Sequence, residues 1–197
     1  MLSFITAEIN HSKSLLDLIL ADQQILGMIA AIAERAIATI QNNGKILFIG
    51  NGGSAADAQH LAAELVGRLC YERPGLPGLA LTTDTSALTA IANDYDFNEI
   101  FARQILALGQ AGDLLIALST SGKSANILRA LDVANECGIT TVGFTGHQAP
   151  QMHSRCQLLL SVPAQASAKI QECHIVLGHI ICSLIEAALY GPSAAQT

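Results

Sequence analysis

Tryptophan is absent from the 197-residue chain, and aromatic residues make up only 4% of it. The interior must therefore be filled by Ala, Leu and Ile rather than by large rings. Charge is scarce as well, with 13% of residues charged against 51% hydrophobic and a net charge of −6. No basic run occurs, which disfavours nucleic-acid binding through an electrostatic patch. The five cysteines, Cys70, Cys137, Cys156, Cys173 and Cys182, form no C-x-x-C pair, and read as reduced packing residues of an intracellular protein. Residues Met1 to Glu8 lack a basic segment followed by an apolar one, so no signal peptide is expected. No uninterrupted apolar run approaches the ~18 residues of a membrane span. The expected location is the cytoplasm. So little polar side chain would coat a monomer poorly, and an oligomer that buries apolar helix faces is expected.

What is present alternates between helix and strand patterns. From Phe4 to about Asn42, apolar residues recur at intervals of three and four, predicting two amphipathic helices with a break near Asp22. Asn42-Asn43-Gly44 supplies a stop. Lys45–Ile49, the region of Gly78–Leu81, Asp113–Leu118, Thr140–Thr145 and Gln157–Val162 read as strands. Between them lie helical stretches to about Leu69, over Ser86–Ala92 and Phe97–Leu108, to Cys137, and from about Ala168 to Leu189. Apolar strands separated by helices describe an α/β fold, a parallel sheet covered on both faces. One domain over 1–197 is expected, with an N-terminal helical extension over about 1–42 and a frayed polar tail after Gly191.

Several segments carry chemistry. Ser119-Thr120-Ser121-Gly122-Lys123-Ser124 follows a strand and opens a helix. Hydroxyls, backbone N–H groups and the helix dipole together suit a phosphate monoester there. The Walker A spacing is missing, so nucleotide hydrolysis is not implied; a simple turn capped by Ser124 is the alternative. Gly50-Asn51-Gly52-Gly53-Ser54 allows a ligand close to the backbone, with Ser54 able to cap the next helix, but it does not spell a dinucleotide fingerprint. His60 and Glu64 stand at i, i+4, which stacks an imidazole and a carboxylate on one helix face for a divalent metal or for proton abstraction beside a carbonyl. Alone, such a pair also suits a surface contact. Gln171 and His179 on a straight helix are separated by roughly 12 Å of rise and about 80° of rotation. For both to hold one ion, Gln171 must sit at an irregular helix start or the two must come from different subunits. His174 reads as a core residue. Asn93-Asp94, just after a helical stretch, offers two oxygens and an amide to sugar hydroxyls, or starts a turn.

Taken in order, GNGGSAADAQHLAAEL (50–65), LTAIANDYDFNEIFARQ (88–104), GDLLIALSTSGKSANI (112–127) and KIQECHIVLGH (169–179) resemble the SIS (sugar isomerase) family, on its phosphoheptose isomerase branch. The resemblance implies a three-layer αβα sandwich preceded by N-terminal helices and assembled as a homotetramer. It implies conversion of sedoheptulose 7-phosphate to D-glycero-D-manno-heptose 7-phosphate through an enediol, the first step towards heptose for lipopolysaccharide or other surface glycans. By the motif match, Ser119, Thr120, Ser121 and Ser124 hold the phosphate, and Asn51, Gly52, Gly53, Asn93 and Asp94, with Glu64 and Gln171, contact the sugar. His60, Glu64, Gln171 and His179 match the zinc positions, with one zinc per subunit, and Glu64 and His179 are the implied catalytic pair. Ala168 stands before Lys169 where some members carry an acidic residue, and Arg68 matches a basic position whose task is open.

Two other classes share this pattern. A non-catalytic SIS protein that binds the bacterial replication initiator has the same loops but lacks the glutamate and the second histidine, both present here as Glu64 and His179. A sugar-phosphate sensor would bind through the phosphate loop without turnover.

Overall fold

The computed structural model describes residues 1–191. Two helices come first, α1 (Leu2–Ala21) and α2 (Gln23–Gln41), bent by 80°. Asp22 makes the break, because its carboxylate accepts from the backbone N–H groups of Gln24 and Ile25 and so caps α2. Replacing it by Ala should cost about 1 kcal/mol. The core then alternates: β1 (Ile46–Gly50), α3 (Gly53–Val66), β2 (Gly78–Ala80), α4 (Thr85–Asp94), α5 (Ala102–Leu108), β3 (Leu114–Leu118), α6 (Ala125–Glu136), β4 (Thr140–Thr145), α7 (Pro150–His153), β5 (Leu158–Ser161) and α8 (Ser167–Tyr190). The predicted single stretch Phe97–Leu108 is divided: a 3-10 turn at Phe97–Glu99, capped by Asp96, precedes α5. The short helix α7 carried no periodic signal of its own.

All strands pair in parallel, in the order β2-β1-β3-β4-β5. Side chains along the middle strands go alternately to two cores, as the two-residue period of a strand requires. Ile46, Phe48, Leu114, Ile116, Val142 and Phe144 meet α2, α3 and α8 on one face. Leu47, Ile49, Leu115 and Ala117 meet α5 and α6 on the other. The chain is thus the expected three-layer αβα sandwich. By length and mean hydropathy (1.7) α8 could cross a membrane, but Ile170, Cys173, Leu177, Ile181 and Ile185 form its buried stripe against the sheet.

The order 2-1-3-4-5 reverses direction between β1 and β3, which is where open parallel sheets bind ligands, beyond the strands' carboxyl ends. Gly50 pairs with Leu118 in the ladder. The loops that follow, from Asn51 and from Ser119, therefore start at the same level side by side.

Some expectations change. Cys173 and Cys182 are buried, but Cys70 is exposed on the segment after α3, so it is no packing residue. Asn93 and Asp94 lie inside the last turn of α4 rather than after it, exposed, with the Asn93 amide donating to Asp94 (2.8 Å). Residues 192–197, where a frayed tail was expected, lie outside the described residues.

Candidate active site

The loop after β3 folds on itself. Gly122, at φ 62°, donates its N–H to the Ser119 carbonyl (3.2 Å) and hydroxyl (3.1 Å), and Lys123 donates to the Ser121 hydroxyl (3.2 Å). Ser119 also donates its N–H to Phe144 (2.9 Å), and Gly146 donates to the Thr120 carbonyl (3.2 Å), which stitches the loop to the end of β4. A side chain at Gly122 would strike Ala149, so glycine is required twice over. Ser124 begins α6 without a side-chain cap bond, which leaves its hydroxyl for a ligand. The first N–H groups of a helix have no intrahelical acceptor, and the helix dipole favours an anion at that end. Asn51, Ser54, Ser119, Thr120, Ser121 and Ser124 line a small cavity of about 50 Å³ here. A larger groove of about 710 Å³, lined by Lys123, His147, His153 and Ser161, contains none of the predicted site residues.

The loop after β1 opens α3 through Gly52, which is the N-cap at φ 54°. Ser54 is therefore not the cap; it is buried in the first turn, facing the phosphate-suited cavity. Gly53 leaves room for another group: a side chain there would collide with the carboxamide of Gln171.

Helices α3 and α8 run side by side in the same direction. Gln171 meets Gly53 and Asp57, His179 meets His60, and Glu186 meets Leu69–Arg73. Gly178 permits the close approach, since a side chain at that position would overlap Leu61. The result is a cluster of His60, Glu64 and His179 with donor atoms within 4.8 Å of one another. His60 Nε2 lies 2.7 Å from His179 Nε2 and 3.1 Å from Glu64 Oε1. Only one proton fits between two imidazole nitrogens at that distance, so at least one presents a lone pair. Two imidazoles and a carboxylate converging this way form a donor set that zinc accepts. The residues present fit a divalent metal.

Gln171 sits in the continuous body of α8, not at an irregular start. Its Nε2 donates to Asp57 Oδ1 (3.2 Å), one turn before His60 on α3. Asp57 itself escaped the sequence reading. It is buried, its Oδ2 has no partner among the described residues, and burial pushes its carboxyl up, against the Gln171 hydrogen bond and the nearby His60 and His179. The D-x-x-H-x-x-x-E spacing on one face of α3 was the available signal.

A buried ion pair underpins this end of the helices. Glu186 accepts from the N–H groups of Leu69, Cys70 and Tyr71 and from Arg73 Nε (2.9 Å). Burial raises its carboxyl, but those donors outweigh it and hold the group below its ordinary range. Arg73 donates in turn to the carbonyls of Glu64 and Leu65. Arg68 is exposed against Glu72 (3.4 Å). Lys169 ties α8 to Ser12 of α1 (2.8 Å). Asn93 and Asp94 join neither the cavity nor the cluster within one chain.

Residues 10–146 match the SIS domain. The chain belongs to that family. It is 52% identical over 190 residues to a phosphoheptose isomerase of Burkholderia pseudomallei, covering 96% of each chain, and 50% identical to that of Aneurinibacillus thermoaerophilus with the same coverage. Among solved structures, phosphoheptose isomerase GmhA from Neisseria gonorrhoeae superposes with a TM-score of 0.88 at 40% identity, over 94% of this chain and 98% of that one. A Francisella tularensis phosphoheptose isomerase gives 0.88 at 34%, over 93% and 97%. Within the SIS family, the chain thus lies on the phosphoheptose isomerase branch.

Proposed function

We propose that the chain interconverts sedoheptulose 7-phosphate and D-glycero-D-manno-heptose 7-phosphate, supplying heptose for surface glycans in the cytoplasm. The observation that carries this reading is that His179 of α8 meets His60 and Glu64 on α3, the helix that starts at the phosphate-suited cavity. His60 lies about 9 Å of helix rise beyond Ser54, so a sugar gripped by its phosphate at the loop extends along α3 towards the cluster.

In this mechanism Ser119, Thr120, Ser121 and Ser124 hold the phosphate, while the Asn51–Gly53 backbone, Gln171, Asn93 and Asp94 serve the sugar. Glu64 takes the proton from carbon 1 of the ketose and returns it to carbon 2, through an enediol. His179 moves one proton from oxygen 1 and one to oxygen 2. Carbon 1 is oxidised and carbon 2 reduced, so no external oxidant is required. His60, Glu64 and His179, joined by Gln171 from a neighbouring copy, would hold zinc, which when bound supplies Lewis acidity that favours negative charge on oxygen. Coordination lowers a carboxylate's basicity. Glu64 would therefore act as the base only where its hold on the metal is loose.

A homotetramer is part of the proposal. On a single chain α1 exposes Leu2, Phe4, Ile5, Ile9, Leu16, Leu18 and Leu20, and α8 exposes Val176, Ile180 and Leu184 at four-residue intervals. Contiguous apolar faces of this kind support burial between copies, which light scattering after gel filtration tests. The deciding assay mixes purified, zinc-loaded protein with sedoheptulose 7-phosphate and follows the aldose. Turnover that disappears in Glu64→Gln is the expected result. Tight binding without any aldose would overturn the enzymatic reading and leave the sensor.

A further inference from the structure

Beyond the last ladder pair, Gly50 with Leu118, the two ligand-facing loops share no backbone hydrogen bond among the described residues. They are linked instead by a reciprocal pair of side-chain amides. Asn51 Nδ2 donates to Asn126 Oδ1 (2.9 Å), and Asn126 Nδ2 donates to Asn51 Oδ1 (2.8 Å). Asn126 is only 2% exposed, and its Oδ1 also accepts the Ile127 N–H (3.0 Å). That third bond fixes which end of the amide faces which, because an amide nitrogen could not accept it.

The location gives the pair its meaning. Asn126 is the second residue of α6, whose first turn closes the Ser119–Ser124 loop. Asn51 begins the loop after β1, and its backbone carbonyl accepts the N–H of Ala55 in the first turn of α3. The amide pair therefore joins the N-terminus of the helix under the phosphate to the N-terminus of the helix that carries His60 and Glu64. It also engages both ends of the Asn51 side chain, so that amide acts chiefly as a link, not as a sugar contact.

We propose that Asn126 is a positioning residue, which sets the distance between the phosphate grip and the metal-ligand cluster by holding Asn51. The inference rests on the function proposed above. A sugar phosphate anchored at one end and reacting at the other is sensitive to that distance, and a displacement of about 1 Å costs on the order of 100-fold in rate.

The test uses the zinc-loaded, full-length protein with Asn126→Ala. Expected is a fall of about 100-fold in kcat/KM for sedoheptulose 7-phosphate. Zinc content and calorimetric affinity for inorganic phosphate, which report each half alone, stay at wild-type values. The calorimetric preference for the sugar phosphate over inorganic phosphate collapses. Asn51→Ala/Asn126→Ala is no worse than either single variant, since the two act as a unit. Unchanged kcat/KM, a parallel loss of zinc or phosphate binding, or additive effects would each overturn the assignment. Should Asn126→Ala not fold, Asn126→Ser, which breaks the reciprocal amide pair without adding charge beside the phosphate cavity, is read the same way. If the wild type shows no turnover, the proposed function fails, and the calorimetric preference alone decides the role of Asn126.

Discussion

The loop after β3 and the helix pair α3–α8 serve opposite ends of one candidate site and are built by different means. The loop is local: six consecutive residues, a glycine at φ 62° and a helix start form it, with bonds inside the loop and to the neighbouring strand. The cluster is assembled across 119 residues of sequence, between His60 and His179. It depends on Gly178 letting two helices approach and on a buried ion pair holding their far ends. Local construction makes a binding feature tolerant of changes elsewhere in the core. Assembly from two helices ties chemistry to packing.

The difference can be broken by substitution. Glu64→Gln should cost roughly 10⁴-fold in kcat, ~5 kcal/mol, while inorganic phosphate still binds by calorimetry. A simultaneous loss of phosphate binding would mean the ends are not separable. Glu186→Gln leaves the Arg73 guanidinium buried without its carboxylate and should lower stability in urea by ~4 kcal/mol. With the loop remote from that pair, phosphate affinity of the folded fraction stays unchanged.

His174 sharpens the contrast through pH. It is fully buried edge-on to Phe144, neither ring nitrogen has a partner among the described residues, and burial pulls the imidazole down to about 4 despite the nearby Thr145 backbone. The unfolded chain, with a histidine near its usual 6.5, takes up the proton first as pH falls. The stability this group contributes is complete above about pH 6.5 and drains away towards pH 4, by ~3 kcal/mol in all. Urea midpoints for His174→Phe should be flatter across that window. Smallest in effect, Ser124→Ala removes one neutral donor from the loop and should raise KM by about fivefold, ~1 kcal/mol, with kcat and zinc content unaltered.

Much of the architecture was legible in the chain. The strands at Thr140–Thr145 and after Asp113 and the helix break near Asp22 followed from the apolar period, which acts between near neighbours. The phosphate loop was legible for the same reason. Asp57 and Asn126 were not, because a lone Asp or Asn in a helical stretch looks like any polar surface position until its burial is known. The spacing between Gln171 and His179 was legible too, and with the irregular helix start excluded, a shared ion needs Gln171 from a neighbouring copy. In the fold each of them answers to a different turn of α3.

By itself the sequence determined which segments become strands and helices, where glycine and hydroxyl chemistry gather at their ends, and that His60 and Glu64 share a face. Only the tertiary structure decided that His179 completes that face, that Asn126 latches the two loops, and that Arg73 and Glu186 meet in the interior. Periodicity shows which side of a helix is apolar. It does not say which other helix will lie against it, since that depends on how all layers pack around one sheet.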